Sequence, residues 1–427
     1  MIAFRVPKYL VCARTINESC NAMKKNYTIL VGLFLLVAAP LSGGLIRGLP
    51  EGFFRFPPVL TGAEETLEFS WPFYLMFCVL FGLALTVLAG PENFGFRPRK
   101  TPAGSLGRSG QTEEDATVHK WKKRLPWWGR AGGILLGVSW CLAWGRFEWL
   151  GPLRDYLFFP LWVGCIFFMD GLVYHRRGIS LFSGARRGFW MLFPMSAVLW
   201  WYFEYLNRFV RNWWYEGQEG WSAFQYVIYG TLCFSTVLPA VFECCDLVLS
   251  FHYVKRSFSD GPVRPKRSDI YSFGCMCTGI LGLFLTGLFP QVFFPLVWVA
   301  PLAIAVGTLG FCRVTSPFRT LQRGHYALPV ALMFATLLCG LLWELWNAYS
   351  LPRWHYSIPY LTKFRIFEMP LPGYSGYLPF GLVCWTGWMM LTHLLPTRWT
   401  GTAETVRHHL EGSAQEKAEQ SDGKQES

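Results

Sequence analysis

The chain has 427 residues, of which 52% are hydrophobic, 18% aromatic and only 15% charged, with a formal charge of +12 and a mean hydropathy of +0.27. A soluble domain carries about 25% charged residues, so this composition excludes an ordinary soluble globular protein. The basic residues lie between apolar runs, where they orient membrane segments, and do not indicate a nucleic-acid partner.

Residues 1–26 are polar and basic (Arg5, Lys8, Arg14, Lys24, Lys25). The apolar run that follows has the outline of a signal peptide. It has no clean A-x-A site and continues to about Leu49, so it reads as an uncleaved first span; Met23 is an alternative start. A second span covers about 70–90. Residues 91–130 form a basic linker whose "HKWKKRLPWW" segment interleaves Lys and Trp, the pattern of an interfacial anchor on an anionic leaflet.

Eight further spans are expected at 131–150, 155–174, 188–208, 223–250, 270–289, 291–311, 326–349 and 366–395, about 20 apolar residues being enough to cross the hydrocarbon core. Basic loops (Arg176, Arg177, Arg186, Arg187; Lys255, Arg256, Arg264, Lys266, Arg267; Arg313, Arg319, Arg323) alternate with short, acidic or mixed ones near 50–69, 151–154, 209–222 and 350–365. By the positive-inside rule both termini lie in the cytoplasm, and a bacterial inner membrane is the expected location. The tail 399–427 is rich in Glu, Gln, Ser and Lys and is expected to be disordered.

The chain repeats itself at an interval of 140 residues. Glu204 and Asn207 recur as Glu344 and Asn347, Trp214 as Trp354, Phe224 as Phe364, Leu238-Pro239 as Leu378-Pro379 and Cys244 as Cys384. This predicts an all-α membrane protein of about ten spans. A segment 1–90 with two spans precedes four-helix repeats at 131–265 and 270–398. Four spans per copy give both copies the same orientation, as in parallel-repeat transporters. Pro239 and Pro379 are expected to break the last span of each copy.

Within each copy, Glu-x-x-Asn places an acid and an amide on one helix face, near the outer side of the membrane. Intramembrane carboxylates are costly and usually face a polar interior. A local ion pair with Arg208 would explain Glu204 structurally, but Glu344 has Ala348 in that place. Trp200 and Trp201 crowd one site, Trp343 and Trp346 the other. Glu368, expected to start the last span beside Arg365, is positioned to complete an outer site with Glu344 and His355, or simply to cap a helix. Glu204, Glu344, Glu368 and His355 are therefore the candidate catalytic groups. Asn207, Asn347, Trp214, Trp343, Trp346, Trp354 and Tyr356 are the candidate substrate contacts.

Glu243 and Asp246 share a face in the sixth span, as a proton relay or as a pair satisfied by Lys255 and Arg256. Asp170 reads as an interfacial salt bridge with the neighbouring His175, Arg176 and Arg177. Thirteen scattered Cys form no CxxC pair and read as small buried apolar residues. No metal site, P-loop or nucleophile elbow is present, and no cofactor is implied.

The segments Trp354-His355-Tyr356-Ser357 and Glu368-Met369-Pro370-Leu371, together with Glu344, resemble the carotenoid hydratases and heterodimeric lycopene cyclases. The cyclases' paired acids are replaced by Pro372 and Gly373. The resemblance implies an isoprenoid substrate, with Glu344 and Glu368 as proton donors and Trp343, Trp346 and Trp354 stabilising a carbocation. Three functions follow as expectations: an enzyme acting on a lipid or isoprenoid, a transporter, or a membrane docking subunit. The expected partners are membrane lipids and a hydrophobic small molecule.

Overall fold

The structure, a computed structural model, describes residues 8–58, 68–97, 123–263, 269–313, 321 and 324–415. About 75% of the protein is helical. Among the described residues, twelve helices carry the architecture: α1 (Lys8–Arg47), α2 (Trp71–Ala89), α3 (Trp127–Gly145), α4 (Phe158–Arg177), α5 (Arg186–Val210), α6 (Ala223–Phe234), α7 (Val237–Leu249), α8 (Asp269–Leu288), α9 (Ala300–Phe311), α10 (Ala327–Asn347), α11 (Tyr377–His393) and α12 (Thr397–Gln415). Short helical turns join several of them. The small amount of sheet comprises two antiparallel ladders, β1 (Trp213–Glu216) with β2 (Arg353–Tyr356), and β3 (Arg365–Ile366) with β4 (Met369–Pro370).

Among the described residues, six helical segments are long and apolar enough to cross a membrane: Met23–Arg47, Trp71–Ala89, Phe158–Arg177, Ala223–Leu249, Asp269–Leu288 and Ala327–Asn347. A seventh arises if Pro290–Trp298 and Ala300–Phe311, bent by 47°, form one broken span. The other three expected spans coincide with α3, α5 and α11. Trp, Gly and Arg dilute the apolarity of α3 and α5, and α11 has only 17 residues. The outward faces of α3 and α5 also bear large apolar side chains; Ile134, Val138, Trp190 and Val198 are exposed, as are Leu30, Phe34, Leu75 and Val79 on α1 and α2. An apolar belt of this kind is the surface of a multi-pass membrane protein rather than of a soluble one.

Close helix pairs are built on small residues, as expected where lipid supplies no hydrophobic drive between helices. A Cβ on Gly132 or Gly164 would meet backbone of the partner helix at 2.7 or 2.5 Å, which is why α3 and α4 lie so near each other. Gly279 and Gly307 bring α8 and α9 together in the same way, their added Cβ atoms meeting backbone at 2.7 and 2.6 Å. The core lies between α4, α5, α7, α10 and α11, where Trp162, Trp346, Trp385, Trp388 and Phe242 are fully buried. Cys165, Cys244, Cys339 and Cys384 fill the same core as free thiols, whereas Cys141 and Cys277 are exposed.

Contacts sort the loops to two ends. At one, Lys25 meets Cys312, Phe258 meets Tyr326, and Asp246 meets Arg177 and His409. At the other, Arg146 meets Tyr349, Ser70 meets Tyr360, Arg208 and Arg211 reach residues 51–55, and β1 pairs with β2.

Three expectations are corrected. The tail 399–427 was expected to be disordered, but its residues up to 415 belong to α12; Ala403, Val406 and Leu410 make a buried stripe, and Val406 packs on Gly188 of α5. Residues 416–427 lie outside the described chain, as does most of the basic linker. Glu368 does not start a helix. Pro370 and Pro372 supply no N–H; residues 365–370 form a tight antiparallel hairpin that turns at Phe367–Glu368, Leu371–Gly376 makes a 3-10 turn, and α11 begins only at Tyr377. Nor do Pro239 and Pro379 break a helix. Each is the third residue of α7 or α11, where backbone N–H groups lack intrahelical partners anyway. The break in the first half falls at Ser235–Thr236, bridged by Ser196, whose hydroxyl donates to Phe234 O (2.6 Å) and accepts from Leu238 N (2.9 Å).

Candidate functional site

The site begins where α5 and α10 stop. Arg211 adopts a left-handed conformation (φ 50°) just past α5. Asn207 then secures the turn: its Nδ2 donates to Trp213 O (2.7 Å), and its Oδ1 accepts from Asn212 N (2.8 Å) and Trp213 N (3.3 Å). At the end of α10, Asn347 Nδ2 donates to Trp354 O (2.7 Å) and Oδ1 accepts from Trp354 N (2.8 Å). Both amides are buried, so each satisfies backbone groups that water cannot reach.

The ladder places the aromatic side chains. Trp213 pairs with Tyr356, Trp214 with His355 and Tyr215 with Trp354. Side chains alternate across a strand, so Trp213, Tyr215, Trp354 and Tyr356 share one face and Trp214 and His355 the other. Glu204 Oε1 accepts from Tyr215 Oη (2.6 Å), Trp213 Nε1 (3.0 Å) and Trp200 Nε1 (3.1 Å). Glu344 Oε1 accepts from Tyr356 Oη (2.7 Å), Tyr377 Oη (3.0 Å) and Trp354 Nε1 (3.4 Å). Burial, reinforced by the adjacent glutamate, raises the Tyr215 and Tyr356 phenols well above their usual range. They therefore stay neutral donors to these carboxyl groups.

The position that bonds like Trp354 is Trp213, not Trp214: the loop after Asn347 is one residue longer than the loop after Asn207. The expected Glu204–Arg208 pairing is also replaced. Arg208 Nη1 donates to Arg55 O (2.7 Å) and Phe53 O (3.3 Å), while Glu204 is held by neutral donors.

On the ladder's other face Trp214 stacks on His355, ring centroids 4.5 Å apart. His355 Nε2 lies 2.7 Å from Glu216 Oε2 and Nδ1 lies 3.2 Å from Glu368 Oε2. Arg353 Nε also donates to Glu216 (2.7 Å), and Arg365 lies 3.7 Å from Glu368. Hydrogen bonding from His355 and Arg353 holds the Glu216 carboxyl below its ordinary range. Glu368 and His355 are thus committed to a charged cluster across the ladder from Glu344, and the three do not form one acid site.

A cavity of about 380 Å³ lies against the aromatic face, within the ~300–1,000 Å³ of small-molecule sites. Its wall includes Trp200, Trp213 and Tyr215 from the Glu204 set and Trp354, Tyr356 and Tyr377 from the Glu344 set. Trp298 and Trp343 extend the aromatic surface. Trp346 lies instead in the core, edge-on to Trp162 at 4.9 Å. Among the described residues, no Arg, Lys, His, Asp or Glu lines the cavity. Its wall reaches Leu80 of α2 and Val299 before α9, which are 54% and 47% exposed. The cavity therefore meets the apolar outer surface of the bundle.

Glu344 and Glu204 sit behind this wall and hold its indoles and phenols in place. Glu344 is 0% exposed, and its Oε2 has no hydrogen-bond partner among the described residues.

At the opposite end Asp170, expected to pair with neighbouring cations, accepts from Trp128 Nε1 (2.8 Å), Ser180 Oγ (2.9 Å) and Phe182 N (2.8 Å). Asp246 is held not by Lys255 and Arg256 but by Arg177 (2.5 Å), His409 (2.6 Å) and Ser413 (3.1 Å). Fully buried Glu243 lies beside both Asp170 and Asp246.

Trp200 was expected beside Glu204 from the sequence, whereas Trp213, Tyr215, Trp298 and Tyr377 were not singled out there. Trp213-x-Tyr215 and Trp354-x-Tyr356 share a spacing that a gap-free 140-residue alignment hides, because the two pairs are 141 residues apart. No protein-family model, curated protein or solved structure matches the chain.

Proposed function

We propose that the chain binds a long apolar molecule, a lipid or isoprenoid, in the cavity and acts on it chemically, with Glu344 as the acid. In this reading the protein has about ten spans, with the ladder at the outer face and the basic loops in the cytoplasm. Residues 131–265 and 270–398 are copies related by a pseudo-two-fold axis near Trp214 and His355. The matching Asn and Glu bonding sets and the symmetric register of the ladder support that relation.

The observation that carries the functional reading is a cavity whose described lining is aromatic and uncharged, bounded by residues of both sets and meeting the exposed apolar surface at Leu80 and Val299. A ligand dissolved in the membrane can enter there without crossing water. Glu344 lies behind the wall and reaches the cavity through the hydroxyls of Tyr356 and Tyr377, which relay its proton to the ligand and back; its Oε2 has no hydrogen-bond partner among the described residues. Protonation of an isoprenoid double bond leaves a carbocation, which the faces of Trp343 and Trp354 stabilise. Loss of a neighbouring proton to the carboxylate restores the acid and leaves a shifted double bond or a ring.

A strain lacking the protein is expected to accumulate a lipid or pigment precursor, and Glu344→Gln, with expression verified, to give the same profile. Gln keeps an oxygen for the Tyr and Trp donors but removes the acid. An unchanged lipid and pigment profile in the deletion strain removes the enzymatic reading. A second reading, transport of the same ligand, is favoured by the convergence of both glutamate sets on one cavity between the halves. It predicts altered distribution between leaflets with unaltered lipid chemistry.

A further inference from the structure

We infer that Glu243 and Asp170 form a proton-binding site, one exchangeable proton being held between their carboxyl groups at the end of the bundle opposite the ladder. They play this part whatever ligand fills the cavity. Glu243 lies on α7 and Asp170 on α4, and both are 0% exposed. Their carboxyl groups are in hydrogen-bonding contact. Yet no N–H or O–H group of the described residues reaches either oxygen of Glu243. Two carboxylates have no hydrogen to share. The contact therefore requires a proton on one of them, as in other acid pairs too close for both to ionise.

The partners show which acid carries it. Asp170 accepts from Trp128 Nε1, Ser180 Oγ and Phe182 N. Asp246, one turn further along α7, accepts from Arg177, His409 and Ser413. Donors of this kind stabilise a carboxylate, and Glu243 has none. Charge agrees. Arg177 and His409 are basic groups bonded to this cluster. With both charged they balance Asp170 and Asp246, and a third carboxylate in the same dry core goes uncompensated. Cys244 adjoins Glu243, and α10 and α11 bring the thiols Cys339 and Cys384 to that core; a thiol supplies no positive charge. Among the described residues no three His, Cys, Asp or Glu side chains are arranged to hold a metal ion, so the cluster suits a proton rather than a metal cation.

A route to the site is also built. Asp246 shares a helix face with Glu243, and its Oδ2 lies 2.6 Å from His409 Nε2. The His409 side chain is 8% exposed, and an imidazole gives and takes protons near neutral pH. His409 and Asp246 thus connect the buried pair to this end of the bundle.

The test uses infrared spectra of the full chain in lipid nanodiscs at neutral pH, where exposed carboxyl groups are ionised. The difference between the parent and Glu243→Gln is expected to contain the C=O stretch of a protonated carboxyl group. Glu344 is common to both proteins and cancels. Transfer into D2O is expected to shift that band, and to shift it more slowly in His409→Gln, whose amide keeps a hydrogen bond to Asp246 but does not titrate. Glu243→Gln, whose amide donates to Asp170 in place of the proton, is expected to melt close to the parent. Glu243→Leu, which offers Asp170 nothing, is expected to melt lower. A missing C=O band, a band that does not shift in D2O, or Glu243→Gln melting as low as Glu243→Leu overturns the proton site. Equal shift rates in the parent and His409→Gln overturn the route through His409.

Discussion

Asn207 and Asn347 show how one residue type fixes the geometry of a whole site. Each amide ends a helix and starts the approach to a strand, bonding both an N–H and a C=O of the tryptophan that follows. Asn347→Ala leaves two buried backbone groups without partners, and each such group costs about 1–3 kcal/mol. Its melting temperature in detergent should fall clearly, and tryptophan emission should shift red as Trp354 loosens. A variant as stable as the parent would show that the amide is dispensable. The importance of these residues was legible in sequence because Glu-x-x-Asn recurs at a fixed interval. Their partners were not. The gap-free interval pairs Trp214 with Trp354, whereas one extra residue after Asn347 makes Trp213 the equivalent, and alternation along β1 then sends Trp214 to the opposite face.

At the scale of elements, the β1–β2 ladder was hidden by its length. Four residues in each loop cannot show a strand pattern by themselves, and their pairing partners are about 140 positions away. Its charged face makes its integrity pH-dependent. Hydrogen bonds from His355 and Arg353 lower the Glu216 carboxyl below its ordinary 4.5 in the folded protein. A lowered folded value means that its contribution is present at neutral pH and lost as pH falls through the folded value. The melting-temperature difference between the parent and Glu216→Gln should therefore be largest at neutral pH and vanish below 4.5. A difference independent of pH would contradict the assignment. The α3–α4 pair gives a second test at this scale. Gly164→Ala drives a Cβ to 2.5 Å from Leu136 N, where backbone cannot yield, while Gly137 on α3 has open space around it. Gly164→Ala should cost about 1–3 kcal/mol, measured as lost thermal stability. Gly137→Ala should be neutral or gain up to about 1 kcal/mol from helix propensity.

At the scale of the molecule, the membrane class followed directly from composition, since apolar runs of spanning length leave few alternatives. Span number was harder to read, because α3, α5 and α11 carry the glycines, tryptophans, charges and prolines that build the close contacts and the site. Those residues lower the same apolarity by which a span is recognised. The C-terminal segment shows the converse error. Its overall polarity masks Ala403, Val406, Leu410 and Ser413, spaced three or four apart, which form the buried edge of α12.

That edge does structural work far from its place in the sequence. It lies on α5 at Gly188 and brings His409 and Ser413 to Asp246, at the end of the bundle opposite the ladder. Leu410 is fully buried, so Leu410→Ala should cost about 2–5 kcal/mol, the range for deleting a large buried aliphatic side chain. A membrane domain with a net stability of about 5–15 kcal/mol would survive that change with a lower melting temperature. Ending the chain at Pro396 removes the entire stripe together with two of the Asp246 partners, leaving Arg177 to face the buried Asp246 with Glu243 beside it. The truncated protein should accumulate at a small fraction of the parent level, whereas Leu410→Ala should accumulate but melt early. A truncated protein with the parent's yield and melting temperature would show that α12 does not hold this end of the bundle together.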